Sequence, residues 1–471
     1  AADLGRRIGR REILPLEIVE AMLERIGRLD PALNAFRLVT PERARDEARA
    51  AEREILAGRA RGPLHGVPYA PKDIFDTAGL TTTAGAKILA ANVPARDAAV
   101  IERARAAGLV LLGKTNMHEF AYGVTSNNPH FGPCRNPWDP GRSPGGSSGG
   151  SGAALAAGLC ALSLGTDTGG SIRIPAGACG IVGLKPTLGR VSRRGVTPLS
   201  WSLDTVGPMA RTVEDAALLL AAIAGADPED PWCADAPAGD FTRDLEAGAR
   251  GLAIGVPREW FFAGVEPAIE AAVRAAIAVL GREGARIVEV SLPDLADAHT
   301  AAHATLAAEA SAWHEPWLRE RPDDYGADVR RALELGHLIS AVDYVNARRM
   351  QEIVRARALA ALAEADVLAM PTLPRTPPAV GEAVSREPEV AWNRFMTPWN
   401  LTGFPAISIP CGFEPAGLPI GLQIVGRPFE AARVLRAARA YERATDWHER
   451  RPALAMESQE ANERMNPRTT R

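Results

Sequence analysis

Two serines in this chain are set among glycines, a setting in which chemistry is readily built. Ser147 lies in Gly145-Gly146-Ser147-Ser148-Gly149-Gly150-Ser151, and Ser171 closes Thr166-Asp167-Thr168-Gly169-Gly170-Ser171. Glycine lets a backbone turn sharply and brings its N–H groups close to a bound atom. A serine held this way can be a nucleophile, part of a phosphate cradle or a flexible link. The loop before Ser171 can aim successive N–H groups at one point, as an oxyanion requires. The residues after it, Ile172-Arg173-Ile174-Pro175, can open a helix whose dipole adds to that effect.

A serine hydroxyl is weak without a base in hydrogen-bond reach. Histidine is the usual base, and the chain has 8. None sits in the surroundings of a triad partner. His118 stands beside Glu119, which reads as a solvent-facing residue. His299 and His303 are four apart on a helical pattern, a spacing that can hold a metal. Thr300 stands where H-E-x-x-H has glutamate, however, and no third ligand is near, so no metal is expected. Lys72 is the other option. It lies in Tyr69-Ala70-Pro71-Lys72-Asp73-Ile74-Phe75, and burial there would lower its pKa into a general base's range. It reads equally as a surface lysine paired to Asp73 or Asp76, and composition favours that reading.

The elements that must position these residues alternate in type. Helical periodicity covers 14–29, 42–56 and 98–107, and Thr212 opens another helix with Glu214 and Asp215 in its first turn. Apolar runs at 109–113, 181–185, 252–256, 287–292, 367–371, 406–410 and 418–425 read as buried strands, with helices at 265–280 and 430–446. The small, apolar residues between the two glycine loops read as a buried helix that brings the loops together. This alternation predicts an α/β fold. A helix-rich insert or cap is expected at about 296–363 and a disordered tail at 457–471.

Composition narrows the function classes. The 471 residues carry 54 basic and 57 acidic side chains without a basic block, which argues against a nucleic-acid binder. The 5 cysteines are scattered without C-x-x-C and read as reduced thiols. No apolar stretch has the length of a membrane span, and the N-terminal residues hold no apolar core of a signal peptide. A cytoplasmic protein is expected, with no membrane partner.

The two serine loops, taken in order with other landmarks, resemble the amidase signature family of serine hydrolases. The landmarks are Pro71-Lys72-Asp73, Gly113-Lys114-Thr115-Asn116-Met117, Gly183-Leu184-Lys185-Pro186-Thr187, Gly207-Pro208-Met209, Pro371-Thr372 and Gly417-Leu418-Pro419-Ile420-Gly421-Leu422-Gln423. The resemblance covers nearly the whole chain. It implies a large mixed central β-sheet covered by helices on both faces, in a single domain over 1–456. Within that domain a helical layer covers about 1–60 and the signature core about 61–215. It also implies a Ser-cisSer-Lys triad: Ser171 as nucleophile, Ser147 in a cis peptide as relay and Lys72 as base. The implied oxyanion hole is formed by the N–H groups of Thr168, Gly169, Gly170 and Ser171, and no cofactor is implied. Ser148 supports the relay or packs the loop, and Asp167 with Arg173 pairs to hold the loop.

Specificity lies outside the signature. Met117, Tyr122, Trp201 and Trp399 are candidate pocket residues, and each also reads as core. Lining a pocket, they would favour a small aryl or acyl amide. The Leu401-Thr402-Gly403-Phe404-Pro405 region is similar to the glutaminase subunit of a tRNA-dependent amidotransferase, whereas Arg386-Glu387-Pro388-Glu389-Val390-Ala391-Trp392-Asn393-Arg394 departs from it. Only that alternative would bring a nucleic-acid partner. Carbamates and ureas remain open as substrates, and so does a homodimer. A nucleotide-binding role is disfavoured because neither G-x-x-x-x-G-K-[ST] nor G-x-G-x-x-G after a strand is present.

Overall fold

The computed structural model describes residues 1–382 and 392–456. The expected tail, and residues 386–391 of the divergent stretch, lie outside the described residues. Among the described residues twelve strands occur: β1 (Phe36–Val39), β2 (Pro68–Tyr69), β3 (Val110–Leu111), β4 (Gly113–Thr115), β5 (Leu162–Asp167), β6 (Val182–Lys185), β7 (Thr205–Ala210), β8 (Ala253–Pro257), β9 (Arg286–Val290), β10 (Val367–Pro371), β11 (Ala406–Phe413) and β12 (Pro419–Gly426). Ten of them form one sheet in the order β3-β2-β5-β7-β6-β11-β12-β10-β8-β9, and β1 pairs with β4 separately. The sheet is mixed. Its two ends are parallel (β3-β2-β5 and β10-β8-β9) and its centre, from β5 to β10, is antiparallel.

Strand periodicity explains why both faces are covered. In β10, Val367 and Ala369 join one apolar cluster while Leu368 and Met370 join another. In β12, Leu422 and Ile424 face the first cluster and Val425 the second. A strand buried on both sides reads as a continuous apolar run, which is why these segments are visible in the sequence.

The helices are α1 (Ala2–Gly9), α2 (Pro15–Leu33), α3 (Pro41–Leu56), α4 (Ala99–Ala106), α5 (Gly149–Ala156), α6 (Arg173–Cys179), α7 (Val213–Ile223), α8 (Pro267–Arg282), α9 (Leu295–Glu320), α10 (Ala327–Gly336), α11 (Ala341–Glu364), α12 (Thr397–Leu401) and α13 (Ala431–Arg443). Helices α7, α8 and α13 supply Leu220, Val273 and Val434 to the first cluster. Helices α2, α3 and α5 bury Val19, Ala48 and Leu155 on the other face, and α11 buries Leu362 with Leu368 and Met370. Thr212 caps α7 as expected, its hydroxyl accepting from the Asp215 N–H at 3.2 Å. Among the described residues no helix is long and apolar enough to cross a membrane.

The run between the serine loops departs from the expected single helix. It forms helix α5, ending at Ala156, and then the central strand β5 from Leu162. The chain therefore leaves one serine loop on a helix and enters the other on a strand. That geometry lets the loops meet above the end of β5.

Candidate active site

Lys72 follows β2 and is drawn against β5. Its N–H donates to the Leu164 carbonyl at 2.9 Å, and the Asp73 N–H donates to Thr115 at 3.0 Å. The side chain is wholly buried. Its Nζ donates to Ser147 Oγ at 2.7 Å and to Thr166 Oγ1 at 2.9 Å. The surface reading of Lys72 is thereby overturned. It is Lys114, not Lys72, that pairs with Asp73, at 2.8 Å and out of solvent. Burial pushes Lys72 down to about 7, with Asp204 and Asp167 pulling the other way. A lysine that exchanges its proton near neutrality, bonded to a serine hydroxyl, has the pKa and the geometry of a general base.

The Gly146–Ser147 peptide is cis. The Ser147 carbonyl accepts from the His118 N–H at 3.1 Å and from Ser126 Oγ at 3.2 Å, so the loop is held from the far side. The two serine loops are joined directly. The Ser148 N–H donates to the Ser171 carbonyl at 3.3 Å, and Ser148 Oγ donates to the Thr166 carbonyl at 3.4 Å. Ser148 thus ties both loops to β5. Ser171 itself is 5% exposed and precedes α6.

Asp167 organises the loop before Ser171. Its Oδ1 accepts from the Gly170 N–H at 2.9 Å, and its Oδ2 accepts from the Ile172 N–H at 3.2 Å. Arg173 donates through Nε to Oδ2 at 3.0 Å and through Nη2 to Oδ1 at 2.9 Å. Burial alone would raise this carboxyl, but the Arg173 guanidinium holds it well below the carboxylate range. The guanidinium also reaches Asn400 Oδ1 at 2.6 Å and Gln423 Oε1 at 2.7 Å. The expected Asp167–Arg173 pair is therefore present. The Gly170 N–H, one of four expected oxyanion donors, is already committed to Asp167; Thr168, Gly169 and Ser171 remain as candidate donors.

Thr168 Oγ1 donates to Asp204 Oδ1 at 2.6 Å, while Asp204 Oδ2 accepts from the Leu199 and Ser200 N–H groups at 2.9 and 3.1 Å. Neither Asp204 nor Thr166 has a role among those the resemblance implies. Thr166 carries a readable signal, lying five residues before Ser171 in the same motif. Gln423 closes the Gly417–Gln423 landmark, whereas Asp204 and Asn400 carry no such signal, because the fold brings them in from the loop before β7 and from α12.

The expected pocket residues are spread around this centre. Trp201 lines a cleft of about 230 Å³ whose walls include Thr166, Asp204, Val206, Arg193 and Trp232. Tyr122 is partly exposed and packs on the main core. Met117 is buried next to His118. Trp399 is also buried, its ring stacked on Phe261 with centroids 5.9 Å apart. Glu119, expected to face solvent, is wholly buried. It accepts from His130 Nε2 at 2.7 Å and from the Gly326 N–H at 2.8 Å. Among the described residues no group of three or more His, Cys, Asp or Glu is placed to hold a metal.

The chain is similar to known proteins over most of its length. A family model described as Amidase matches residues 17–435. An amidase from Pseudomonas putida is 44% identical over 462 residues, covering 96% of this chain and 97% of the relative. One subunit of the glutamyl-tRNA(Gln) amidotransferase of Chloroflexus aggregans is 45% identical over 469 residues, covering 94% and 96%. A solved structure described as a vestigial protein complex revealing the evolutionary origins of an s-triazine catabolic enzyme superposes with a TM-score of 0.89 at 39% identity, covering 94% of this chain and 97% of that one. With a match of this extent on a ten-stranded sheet of this topology, the chain belongs to the Amidase family, enzymes that hydrolyse amide C–N bonds.

Proposed function

We propose that this enzyme cleaves a small aryl or acyl amide through an acyl-enzyme on Ser171, with Ser147 as relay and Lys72 as general base. The observation that carries the reading is the 2.7 Å contact between the buried Lys72 Nζ and Ser147 Oγ. In its neutral form Nζ accepts the Ser147 proton as Ser147 Oγ takes one from Ser171. Ser171 Oγ then attacks the amide carbonyl, and the oxyanion is met by the N–H groups of Thr168, Gly169 and Ser171. The C–N bond breaks as the proton returns through Ser147 to the leaving nitrogen, because an amine leaves only once protonated. Water then resolves the ester by the same relay run in reverse. The cleft beside Trp201 supports an aryl or apolar substituent. The described elements are read as one unit, with α9 to α11 as its helical insert.

The test is labelling by a fluorophosphonate together with a panel of amides, esters and carbamates. Wild-type protein is expected to label and to hydrolyse amides, and Ser171→Ala to do neither. Equal labelling of Ser171→Ala would reject the nucleophile. The similarity to an amidotransferase component favours a second reading, a glutaminase working with partner proteins. Glutamine hydrolysis that appears only when such partners are added would establish it over the first.

A further inference from the structure

The outer surface of α11 is apolar where a solvent-facing helix would be polar. Of the eleven large apolar side chains left exposed among the described residues, five lie between Leu338 and Leu359. Val342 is 68% exposed and Val345 55%. Single exposed apolar residues are ordinary, whereas a contiguous group marks a surface that another molecule covers. The inner side of the same helix is already used. Ala347 and Val354 pack with Ala298 and Ala302 of α9, and Ala358 and Ala361 pack with Leu368 of β10. At about 100° per residue the inner and outer sets stand on opposite sides of the helix. A helix with an apolar stripe on each side is built to be covered on both.

The outer set is regularly spaced. Positions 342, 345, 349, 352, 356, 359 and 363 alternate by three and four residues, and every one is exposed. This is the heptad seam along which two helices interlock. Its apolar members Val342, Val345, Ala356 and Leu359 flank two charges, Arg349 and Glu352, at its middle. Neither charge has an ion-pair partner among the described residues. The seam is its own complement when reversed. Laid antiparallel and centred between positions 350 and 351, it sets Val342 against Leu359, Val345 against Ala356 and Arg349 against Glu352, each contact made twice by symmetry. Leu338, 76% exposed, extends the same register to Ala363. A parallel seam would instead set Arg349 on Arg349 and Glu352 on Glu352, which repel. The order of the charges therefore fits a second copy of this chain, in one direction only.

We propose that this face of α11 is an isologous dimer interface, with α11 of a second copy antiparallel on it and two Arg349–Glu352 ion pairs crossing the two-fold axis. The helix so held also braces the cleft. From its flank, Tyr344 donates to Glu309 Oε1 at 2.8 Å and Arg348 donates to Ser202 Oγ at 3.0 Å. Ser202 follows Trp201 in the cleft wall.

The test is sedimentation velocity on the full chain at micromolar concentrations. Wild-type protein is expected to sediment as a dimer. Arg349→Glu sets like charges against each other at both crossings and is expected to weaken dimerisation by at least about tenfold. Arg349→Glu combined with Glu352→Arg restores opposite charges in the same register and is expected to recover the dimer. That recovery excludes misfolding as the cause of the loss. Under mild oxidation, Val342→Cys combined with Leu359→Cys is expected to form an interchain disulfide faster than either single variant. A monomeric wild type overturns the proposal. So does a dimer indifferent to Arg349→Glu, or a combined charge variant as weak as Arg349→Glu. Cross-linking no faster in the cysteine pair than in Val342→Cys alone overturns the antiparallel register.

Discussion

Lys72 Nζ lies 2.7 Å from Ser147 Oγ, and both residues are wholly out of solvent. In the proposed mechanism the contact links proton affinity to catalysis. Burial lowers Lys72 from its ordinary 10.5 to about 7. In the proposed mechanism the neutral amine is the active form, so kcat/KM for an amide is expected to rise with pH through about 7 and then level. Lys72→Met is expected to lose about 10²–10⁴-fold in kcat, the range for a positioned general base. Lys72→Arg should be as inactive, since a guanidinium does not give up its proton. The same shift acts on stability. Between about pH 7 and 10 the unfolded chain holds a proton on Lys72 that the folded chain has released. Stability therefore gains up to about 1.4 kcal/mol per pH unit from this group as pH rises. Urea midpoints at pH 7 and 9 should show that increment in wild-type protein and a smaller one in Lys72→Met. An activity profile flat from pH 5 to 9 would refute the assignment of Lys72.

Asp167 and Arg173 form a two-point ion pair with both partners wholly buried. Arg173→Ala strands a carboxylate in the interior. It is expected to cost about 3–5 kcal/mol, the usual result of breaking one side of a buried pair. Arg173→Lys should recover part of this only, because one ammonium cannot make the paired Nε and Nη2 bonds. The Asp167 carboxyl is held below its unfolded value, so its contribution is present at neutral pH and is lost on acidification. Asp167→Asn is expected to flatten that acid limb of stability. That loss sets in only below the unfolded value of 3.8, so chemical denaturation at pH 7 and at about pH 2.5 measures both effects. A loss under about 1 kcal/mol for Arg173→Ala would mean the pair does not hold the loop.

The parts of this site that a sequence displays are those made locally. The glycine loops show Ser147 and Ser171 because the turn chemistry and the side chain sit in one stretch. Strands such as β10 and β12 show because burial on both faces leaves a continuous apolar run. The burial of Lys72 does not show, since it depends on its backbone pairing with Leu164 about ninety residues on. Glu119 reads as a solvent carboxylate for the same reason: its partners, His130 and Gly326, are brought to it by the fold. The segment from Ala153 to Leu164 has neither β-branched residues nor turn prolines, so periodicity alone cannot divide it into α5 and β5. His299 and His303 are recognisable only as an i, i+4 pair. Their neighbours Thr397 and Asn393 arrive from almost a hundred residues away.

Gly169 and Gly170 are adjacent but differ in what a side chain would meet, and that difference separates access to the site from the integrity of its loop. Gly170 has φ +119, and a Cβ there would lie 2.6 Å from Met396 Sδ and 3.0 Å from Ile174 Cδ1. Its N–H must also stay on Asp167 Oδ1. Gly170→Ala is therefore strained in both backbone and packing, and it is expected to lower the melting temperature by several degrees along with activity. At Gly169 the nearest atoms to a Cβ are at 3.5–4.0 Å, ordinary van der Waals distances. Gly169→Ala is expected to keep a near wild-type melting temperature, but its methyl occupies the space between the loop N–H groups and Asn393. KM should rise and kcat/KM should fall by about tenfold or more, since displacing a substrate by a fraction of an ångström is costly to its alignment. Differential scanning calorimetry and steady-state kinetics on the two variants check this. Equal thermal losses in both, or unchanged kcat/KM in Gly169→Ala, would mean that substrate does not enter over Gly169.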